Sequence, residues 1–186
     1  MKTLITITAI LLFTGAAFAQ SETLASGSLT DNYLILSTKR IQTMEKELAE
    51  AGAKGFRVLY GAPTNQADMA LFLKREDAKF DYKILATSRI STMEKELNDV
   101  GKEGFRLSPR TIIFKEGFLT AELVMVVERE KGRNQVFQYD LVEAAKEVNL
   151  QKKIDDAGSL GFHQVTMITL GKHVVVTEKI AGAMTP

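Results

Sequence analysis

Hydrophobic positions along this chain change period in the same order three times. Each of three stretches opens with a segment rich in β-forming residues, over 32–38, 80–87 and 136–142. Apolar side chains three or four positions apart follow, which is helical spacing. These stripes are Met44, Leu48 and Ala51, then Met93, Leu97 and Val100, then Leu150, Ile154 and Ala157. Two more extended segments joined by a turn complete each stretch, so the pattern predicts a β-α-β-β order three times.

One signature marks all three stretches: a tyrosine is followed nineteen positions later by Gly-x-x-Gly-Phe, beginning with Tyr33, Tyr82 and Tyr139. Residues 33–57 and 82–106 are identical at sixteen of twenty-five positions. A unit of about 45 residues is too small to bury a core unaided. We therefore expect the units to fold together as one domain over 32–180.

The fold class that follows is α+β. We expect three tandem β-α-β-β repeats, an antiparallel sheet carrying three short helices on one face, and approximate threefold symmetry. The repeats span 32–76, 80–130 and 136–180. The polar segments at 20–31 and 181–186 are expected to be flexible.

The first glycine of each signature stands where its helix must stop. A residue in the left-handed conformation often ends a helix, and glycine adopts it without the strain of a Cβ. Gly52, Gly101 and Gly158 are therefore predicted to be helix C-caps.

The first nineteen residues have the pattern of a secretory signal. Lys2 supplies a positive start, 4–13 an apolar run, and 17–19 an Ala-Phe-Ala cleavage site before Gln20. The run is too short for a retained membrane span, and no cysteine offers a site for lipid attachment. We expect cleavage after Ala19 and a periplasmic or secreted product without a membrane span.

Charge and cysteine content narrow the classes of partner. The chain has 24 basic and 23 acidic residues, and loss of Lys2 with the signal makes the balance even. A neutral chain has no global attraction for nucleic acid or anionic membranes. It has no cysteine, so in an oxidising compartment its stability must come from burial alone.

The segment from Tyr82 to the Leu-Asn-Asp-Val-Gly-Lys-Glu-Gly-Phe sequence at 97–105 resembles a family of small bacterial domains of unknown function. In that family a strand beginning with tyrosine precedes Leu-Asn-x-x-Gly-x-x-Gly-Trp. This chain has Phe105 in place of the tryptophan, and only its second copy has the asparagine. The resemblance implies the β-α-β-β order and implies no activity.

Catalytic motifs are missing from the sequence. There is no cysteine nucleophile and no Gly-x-Ser-x-Gly elbow, and both histidines, His163 and His173, lie in the third copy without ligands at metal spacing. The glycine pairs follow helices instead of preceding them, which does not suit a phosphate loop. We expect no metal and no cofactor.

Two sets of cations recur with the repeats. One stands directly after each Gly-Phe and the other seven positions after each tyrosine. In a symmetric arrangement each set would form a ring able to hold a carboxylate or phosphate. The predicted anion-binding residues are Arg57, Arg106 and His163, with Arg40, Arg89 and Lys146.

Repetition without a catalytic constellation favours an exported, non-enzymatic binding or structural scaffold for a protein or cell-envelope partner. The alternative is binding of a small molecule or anion, or catalysis, in a cleft between repeats. A third option is a homo-oligomer formed through an exposed edge strand.

Overall fold

The computed structural model describes residues 32–64, 69–116, 121–169 and 172–182. The predicted signal sequence at 1–19, the segment 20–31 and residues 183–186 lie outside the described residues. The strands are β1 (Tyr33–Thr38), β2 (Phe56–Pro63), β3 (Met69–Arg75), β4 (Phe80–Thr87), β5 (Arg106–Leu107), β6 (Ile113–Glu116), β7 (Ala121–Glu130), β8 (Val136–Ala144), β9 (His163–Thr169) and β10 (His173–Gly182). The helices are α1 (Ile41–Ala53), α2 (Ile90–Lys102) and α3 (Glu147–Ser159), with a 3₁₀ turn at Pro109–Thr111.

The α+β class is confirmed: helices and antiparallel sheets occur together within the described chain. The first sheet has the order β1-β3-β2 and the third the order β8-β10-β9. In the second sheet β7 lies between β4 and β5, and it also pairs with β6. In each sheet the strand that comes last in the sequence lies in the centre. The strand before the helix lies on one side of it, and the strand after the helix lies on the other.

The prediction of one sheet with all helices on one face is wrong. Three separate sheets form, and α1 and α2 each pack against two of them. The first core cluster joins Met44 and Leu48 of α1 to Leu73 of the first sheet and to Phe80 and Val126 of the second. The second sheet is covered by apolar clusters on both faces, because Val126 packs in the first cluster and Met125 in the second. The sheets therefore stack across helices and do not merge edge to edge.

The second core cluster repeats this arrangement one layer further along. Met93 and Leu97 of α2 pack with Met125 of the second sheet and with Phe137 and Val176 of the third. Helix α3 packs in a smaller cluster on the third sheet alone. No core cluster among the described residues joins the third sheet to the first, so these contacts form an open stack and not a closed ring.

The helix C-caps are also corrected. Gly52, Gly101 and Gly158 lie inside their helices, one residue before the last. The left-handed residue is the second glycine of each signature, with φ of 86° at Gly55 and 84° at Gly104 and Gly161. Each helix therefore continues one residue past its first glycine. It ends where the following backbone amides donate hydrogen bonds to carbonyls of its last turn.

The end of α2 shows this bonding in full. The Gly104 amide donates to the Gly101 carbonyl at 3.0 Å, and the Phe105 amide donates to the Val100 carbonyl at 3.0 Å. These are the two hydrogen bonds of a Schellman motif, with apolar contact between the residues that flank it. The signature therefore ends the helix with its second glycine and anchors the following strand with its phenylalanine.

At the C-terminus β10 extends to Gly182, which pairs with Val136. The predicted flexible tail therefore begins too early, because residues 181 and 182 are held in the sheet. Within the described residues, no helix combines the length and apolar character needed to cross a membrane.

Candidate functional site

The polar groups that recur in the sequence meet where one sheet and helix pack on the next sheet. We call the contact of α1 and β2 with the second sheet the first joint. The contact of α2 and β5 with the third sheet is the second joint. The repeated tyrosine, the glycine inside the helix and the cation after Gly-Phe all lie in these joints.

Each joint contains a buried tyrosine that bonds to the backbone of the preceding layer. In the first joint the Tyr82 hydroxyl donates to the Phe56 carbonyl at 2.9 Å and accepts from the Val58 amide at 3.1 Å. In the second, the Tyr139 hydroxyl accepts from the Leu107 amide at 2.8 Å. Burial raises the pKa of both tyrosines, so the hydroxyls stay protonated and uncharged. Each hydroxyl therefore links two adjacent layers through hydrogen bonds.

An ion pair crosses the first joint. Arg57 Nε and Nη2 donate to Glu128 Oε1 at 2.9 and 2.6 Å, and Glu76 lies 3.7 Å from Arg57. The Glu128 side chain is only 9% exposed. Burial raises the pKa of Glu128 and the bonded guanidinium opposes that rise. Arg57 thus supplies the counter-charge for a carboxylate in a poorly solvated place.

The second joint has the corresponding pair. Arg106 Nε and Nη2 both lie 2.6 Å from Glu178 Oε1, and the Glu178 side chain is fully buried. His163 Nε2 lies 3.2 Å from the same oxygen. Two potential cations from neighbouring layers therefore converge on one buried carboxylate.

The register of the strands explains why these acids recur. Tyr82 stands opposite Glu128 in the second sheet, and Tyr139 stands opposite Glu178 in the third. The same position of the first sheet, opposite Tyr33, is taken by Lys74. The first sheet thus carries a base where the other two carry the buried acid.

The first predicted set of cations, Arg57, Arg106 and His163, lies along the stack as a row and does not form the predicted ring. Glu128 bonds Arg57 and stands opposite Arg106 in the sheet, while Glu178 contacts both Arg106 and His163. Arg57 and Arg106 both line a cleft of about 40 Å³, room for about one water molecule. Both guanidinium groups are already bonded to buried carboxylates, and anion binding at these residues stays a prediction.

The second predicted set lies elsewhere. Arg40, Arg89 and Lys146 are exposed, extended residues at the starts of the three helices. Their carbonyls accept the first helical hydrogen bonds, at 3.0 to 3.1 Å, and none of their side chains caps a helix. Their backbone carbonyls thus begin three separate helices. The structure does not bring their side chains to the row of ion pairs.

The histidines do not form a metal site with their neighbours. His173 contacts Thr169 at 3.4 Å and Glu147 at 3.4 Å, away from the Glu178 contact of His163. Among the described residues no three His, Cys, Asp or Glu side chains cluster closely enough to hold a metal.

A wider groove of about 630 Å³ lies between β8 and α3. Its polar lining includes Glu143, Lys152, Lys153 and Asp156, with Lys172 at one side. Lys153 donates to the Glu143 carbonyl at 2.8 Å, and Lys172 forms an ion pair with the Glu143 carboxylate. Glu143 is therefore engaged by both Lys153 and Lys172.

Sequence reasoning missed the partners of the recurring cations. Glu128 follows the apolar run 124–127 directly, and Glu178 follows the three valines 174–176 and the buried Thr177. A single acid at the end of an otherwise buried strand was the available signal, because a buried carboxylate requires a counter-charge. Pairing each such acid with the arginine of the preceding repeat would have predicted both joints.

Asn98 was also missed as a joint residue. Its side-chain amide donates to the Tyr139 carbonyl at 2.9 Å and accepts from the Tyr139 amide at 3.0 Å. In the first joint Glu45 accepts from the Ile84 amide at 3.3 Å. Helix side chains thus bond backbone groups on the outer edges of β4 and β8, which otherwise invite pairing with another strand.

Comparisons with protein-family models, with curated proteins and with solved structures return no match for this chain. The joints are therefore interpreted from their own geometry.

Proposed function

We propose that this protein is an exported, non-enzymatic scaffold in which three β-α-β-β repeats stack layer upon layer. Its outer surfaces would serve a protein or cell-envelope partner. The observation that carries the proposal is the use of the recurring polar residues. Tyr82, Tyr139, Arg57 and Arg106 are all engaged in joints between layers.

The repeat interpretation is supported by equivalent bonds at equivalent positions. The tyrosine hydroxyl, the arginine to glutamate pair and the close-packed helical glycine occur in both joints. The strand orders of the three sheets correspond apart from β6, the additional strand of the second sheet. Shared chemistry at shared positions is what a duplicated unit that stacks on its copy would produce.

The resemblance to small bacterial domains of unknown function fits this arrangement. The spacing from tyrosine to the two glycines and the aromatic residue, which recurs three times in this chain, contains the residues that build a joint. We propose that the family resemblance concerns the joint, with Asn98 of the second copy bonding the neighbouring strand.

Export is tested by the mass of the mature chain. Expression of the full sequence in a bacterial host, followed by fractionation and intact mass spectrometry, should give a product beginning at Gln20 outside the cytoplasm. A cytoplasmic product that retains residues 1–19 would contradict export.

The scaffold function is tested with the chain that begins at Gln20. Cross-linking of this protein in the exported fraction should give a discrete adduct, identified by mass spectrometry and absent when the protein is unfolded beforehand. A broad panel of hydrolase substrates should show no turnover. Turnover that follows the folded protein through purification would overturn the non-enzymatic assignment.

The alternative of anion binding between repeats predicts a different result. Citrate or phosphate would raise the melting temperature above that measured in chloride at the same ionic strength, because a ligand that binds the folded state stabilises it. The scaffold proposal predicts equal melting temperatures, since Arg57 and Arg106 are already bonded to buried carboxylates.

A further inference from the structure

A joint forms between two unlike surfaces. In the described chain, each end of the stack leaves one of these two surfaces without a partner layer. This inference rests on the proposed stacking of repeats. We call the outer side of α3 with β9 the α3 end. The outer face of the first sheet, with Tyr33, Tyr60, Phe72 and Lys74, is the β1 end. In the two joints, a surface equivalent to the α3 end packs on a surface equivalent to the β1 end.

Gly158 is the clearest sign of an uncompleted joint. An ideal Cβ on Gly52 would lie 2.3 Å from the Phe80 carbonyl oxygen, and one on Gly101 would lie 2.4 Å from the Phe137 carbonyl oxygen. A Cβ on Gly158 would meet nothing within 4 Å, and its φ is not positive. The glycine at this position therefore has no packing role on the third sheet, although it would suit close approach by another strand.

Both signature glycines at the α3 end are exposed, whereas their equivalents in the joints are covered. Gly52 and Gly55 are buried in the first joint, and Gly101 and Gly104 are buried in the second. Gly158 and Gly161 are exposed. The α3 end therefore leaves open the positions that a neighbouring layer covers in the two joints.

The β1 end has the kind of sheet face on which a helix packs in the two joints. Tyr33 occupies the position of Tyr82 and Tyr139. It stands opposite Lys74 in the central strand of its sheet, as they stand opposite Glu128 and Glu178. Its ring stacks on Phe72 at 5.5 Å, and Phe72 stacks on Tyr60 at 5.1 Å. Tyr60 is 45% exposed. This aromatic face is of the kind that α1 and α2 cover in the second and third sheets.

The charged residues at the two ends differ from the glutamate and arginine that pair in each joint. The buried acid of each joint is replaced by Lys74 at the β1 end, and the arginine after Gly-Phe is replaced by His163 at the α3 end. If two copies met end to end, Lys74 of one would face His163 of the other. The ion pair that crosses each joint would be lost, because neither side chain carries the negative charge that Glu128 and Glu178 supply.

We propose that the α3 end and the β1 end are complementary surfaces for a second copy of this chain, and that Lys74 and His163 keep the copies from joining. Head-to-tail contact between two unlike surfaces generates open-ended assemblies unless it is blocked. Stacked-repeat proteins commonly end in atypical units that prevent such growth. The substitutions at positions 74 and 163 perform that role here.

The test restores the ion pair in the chain that begins at Gln20. Lys74→Glu combined with His163→Arg recreates the glutamate and arginine of the internal joints. Light scattering coupled to size exclusion, over roughly a hundredfold range of concentration, should show a monomer for the parent chain. The double variant should form multiples of the monomer, with association at least about tenfold tighter.

A third substitution locates the contact. Gly158→Leu added to the double variant should abolish assembly, because its side chain would block the approach of the second copy. The same substitution in the parent chain should leave the melting temperature near that of the parent, since that site is open. Lys46→Glu with Thr43→Arg, on the exposed surface of α1, is a control for altered surface charge and should stay monomeric.

Each other outcome overturns the inference. A folded double variant that remains monomeric shows that the ends are not complementary. Assembly that survives Gly158→Leu shows that another surface is used, and an oligomeric parent shows that Lys74 and His163 do not keep copies apart. Circular dichroism checks folding, and Lys74→Gln with His163→Gln provides a second variant, expected to associate less than the restored pair. These failures leave the export and substrate tests of the scaffold unaffected.

Discussion

Replacing Gly101 with alanine tests whether α2 must approach β8 without a side chain in its last turn. The added Cβ would lie 2.4 Å from the Phe137 carbonyl oxygen and 3.2 Å from the Tyr139 ring. Ordinary contacts begin at 3.4 Å. The obstructing oxygen belongs to the backbone of a paired strand, so the helix must move away by about 1 Å to restore an ordinary contact.

The magnitude follows from two opposing effects. Overpacking a well-packed interface typically destabilises by about 1–3 kcal/mol, while alanine is favoured over glycine in a helix by about 1 kcal/mol. The upper half of the overpacking range applies because backbone cannot swing aside as a side chain can. We expect a net loss of about 1–2 kcal/mol, or a fall in melting temperature of roughly 2–8 °C for a chain of this size.

Gly158→Ala is the matched control, because it makes the same chemical change in the same turn of α3 where no neighbouring layer approaches. It should be neutral or stabilising by up to about 1 kcal/mol. The assay is urea unfolding followed by circular dichroism, with thermal melts in parallel. A Gly101→Ala variant as stable as the parent, or a Gly158→Ala variant that loses as much stability, would refute the close-approach argument.

Three further predictions concern the polar groups of the joints. Arg57→Gln should destabilise more than Glu128→Gln at pH 7, by about 2 kcal/mol, because it leaves a buried carboxylate without its counter-charge while the reverse change leaves a partly exposed cation. Burial raises the folded-state pKa of Glu128 above its unfolded value, so the Arg57→Gln variant should regain stability as pH falls toward 5; urea midpoints that do not depend on pH would contradict this. Asn98→Ala should cost about 1–2 kcal/mol by unfolding titration, because the backbone amide and carbonyl of Tyr139 lose their partners, and an unchanged midpoint would remove Asn98 from the joint. Tyr139→Phe should cost about 1 kcal/mol in the same assay because the Leu107 amide loses its acceptor, whereas an equal loss for Tyr33→Phe would show that the joint is not responsible.

Most of the order of strands and helices was predictable because local patterns encode it. The exception is the segment after α2, where the 3₁₀ turn at Pro109–Thr111 separates β5 from β6. Apolar side chains three and four positions apart fix the helices, and the stripe of Met93, Leu97 and Val100 is buried as the spacing predicts. The sequence identity between residues 33–57 and 82–106 then indicates a repeated unit. These signals need only the residues within one repeat.

The stacking of sheets across helices depends on contacts between repeats, which local patterns do not specify. One signal was present in the sequence: residues 123–127 are continuously apolar, which is typical of a strand covered on both faces. Val126 packs into the first core cluster and Met125 into the second. Alternating burial on one face only, as a single sheet with one layer of helices requires, does not fit that run.

The roles of the two signature glycines were exchanged for a related reason. The positive φ at Gly104 is a local property, but the need for a small residue at Gly101 arises from Phe137, in the next repeat. A Gly-x-x-Gly spacing at a helix end is compatible with either glycine as the cap. Only the neighbouring layer distinguishes them.

The layered arrangement also sets how the chain opens and closes over time. Met125, Val126 and Val127 of β7 have no exposed surface, and layers lie on both sides of them, whereas α3 is covered on one side only. Local opening requires the least free energy where the fewest contacts must break. Amide hydrogen exchange should therefore be slowest in β7 and fastest among the helices in α3. Loss of order would then begin at α3 and proceed toward the centre, so the protein is expected to fray from one end instead of loosening throughout.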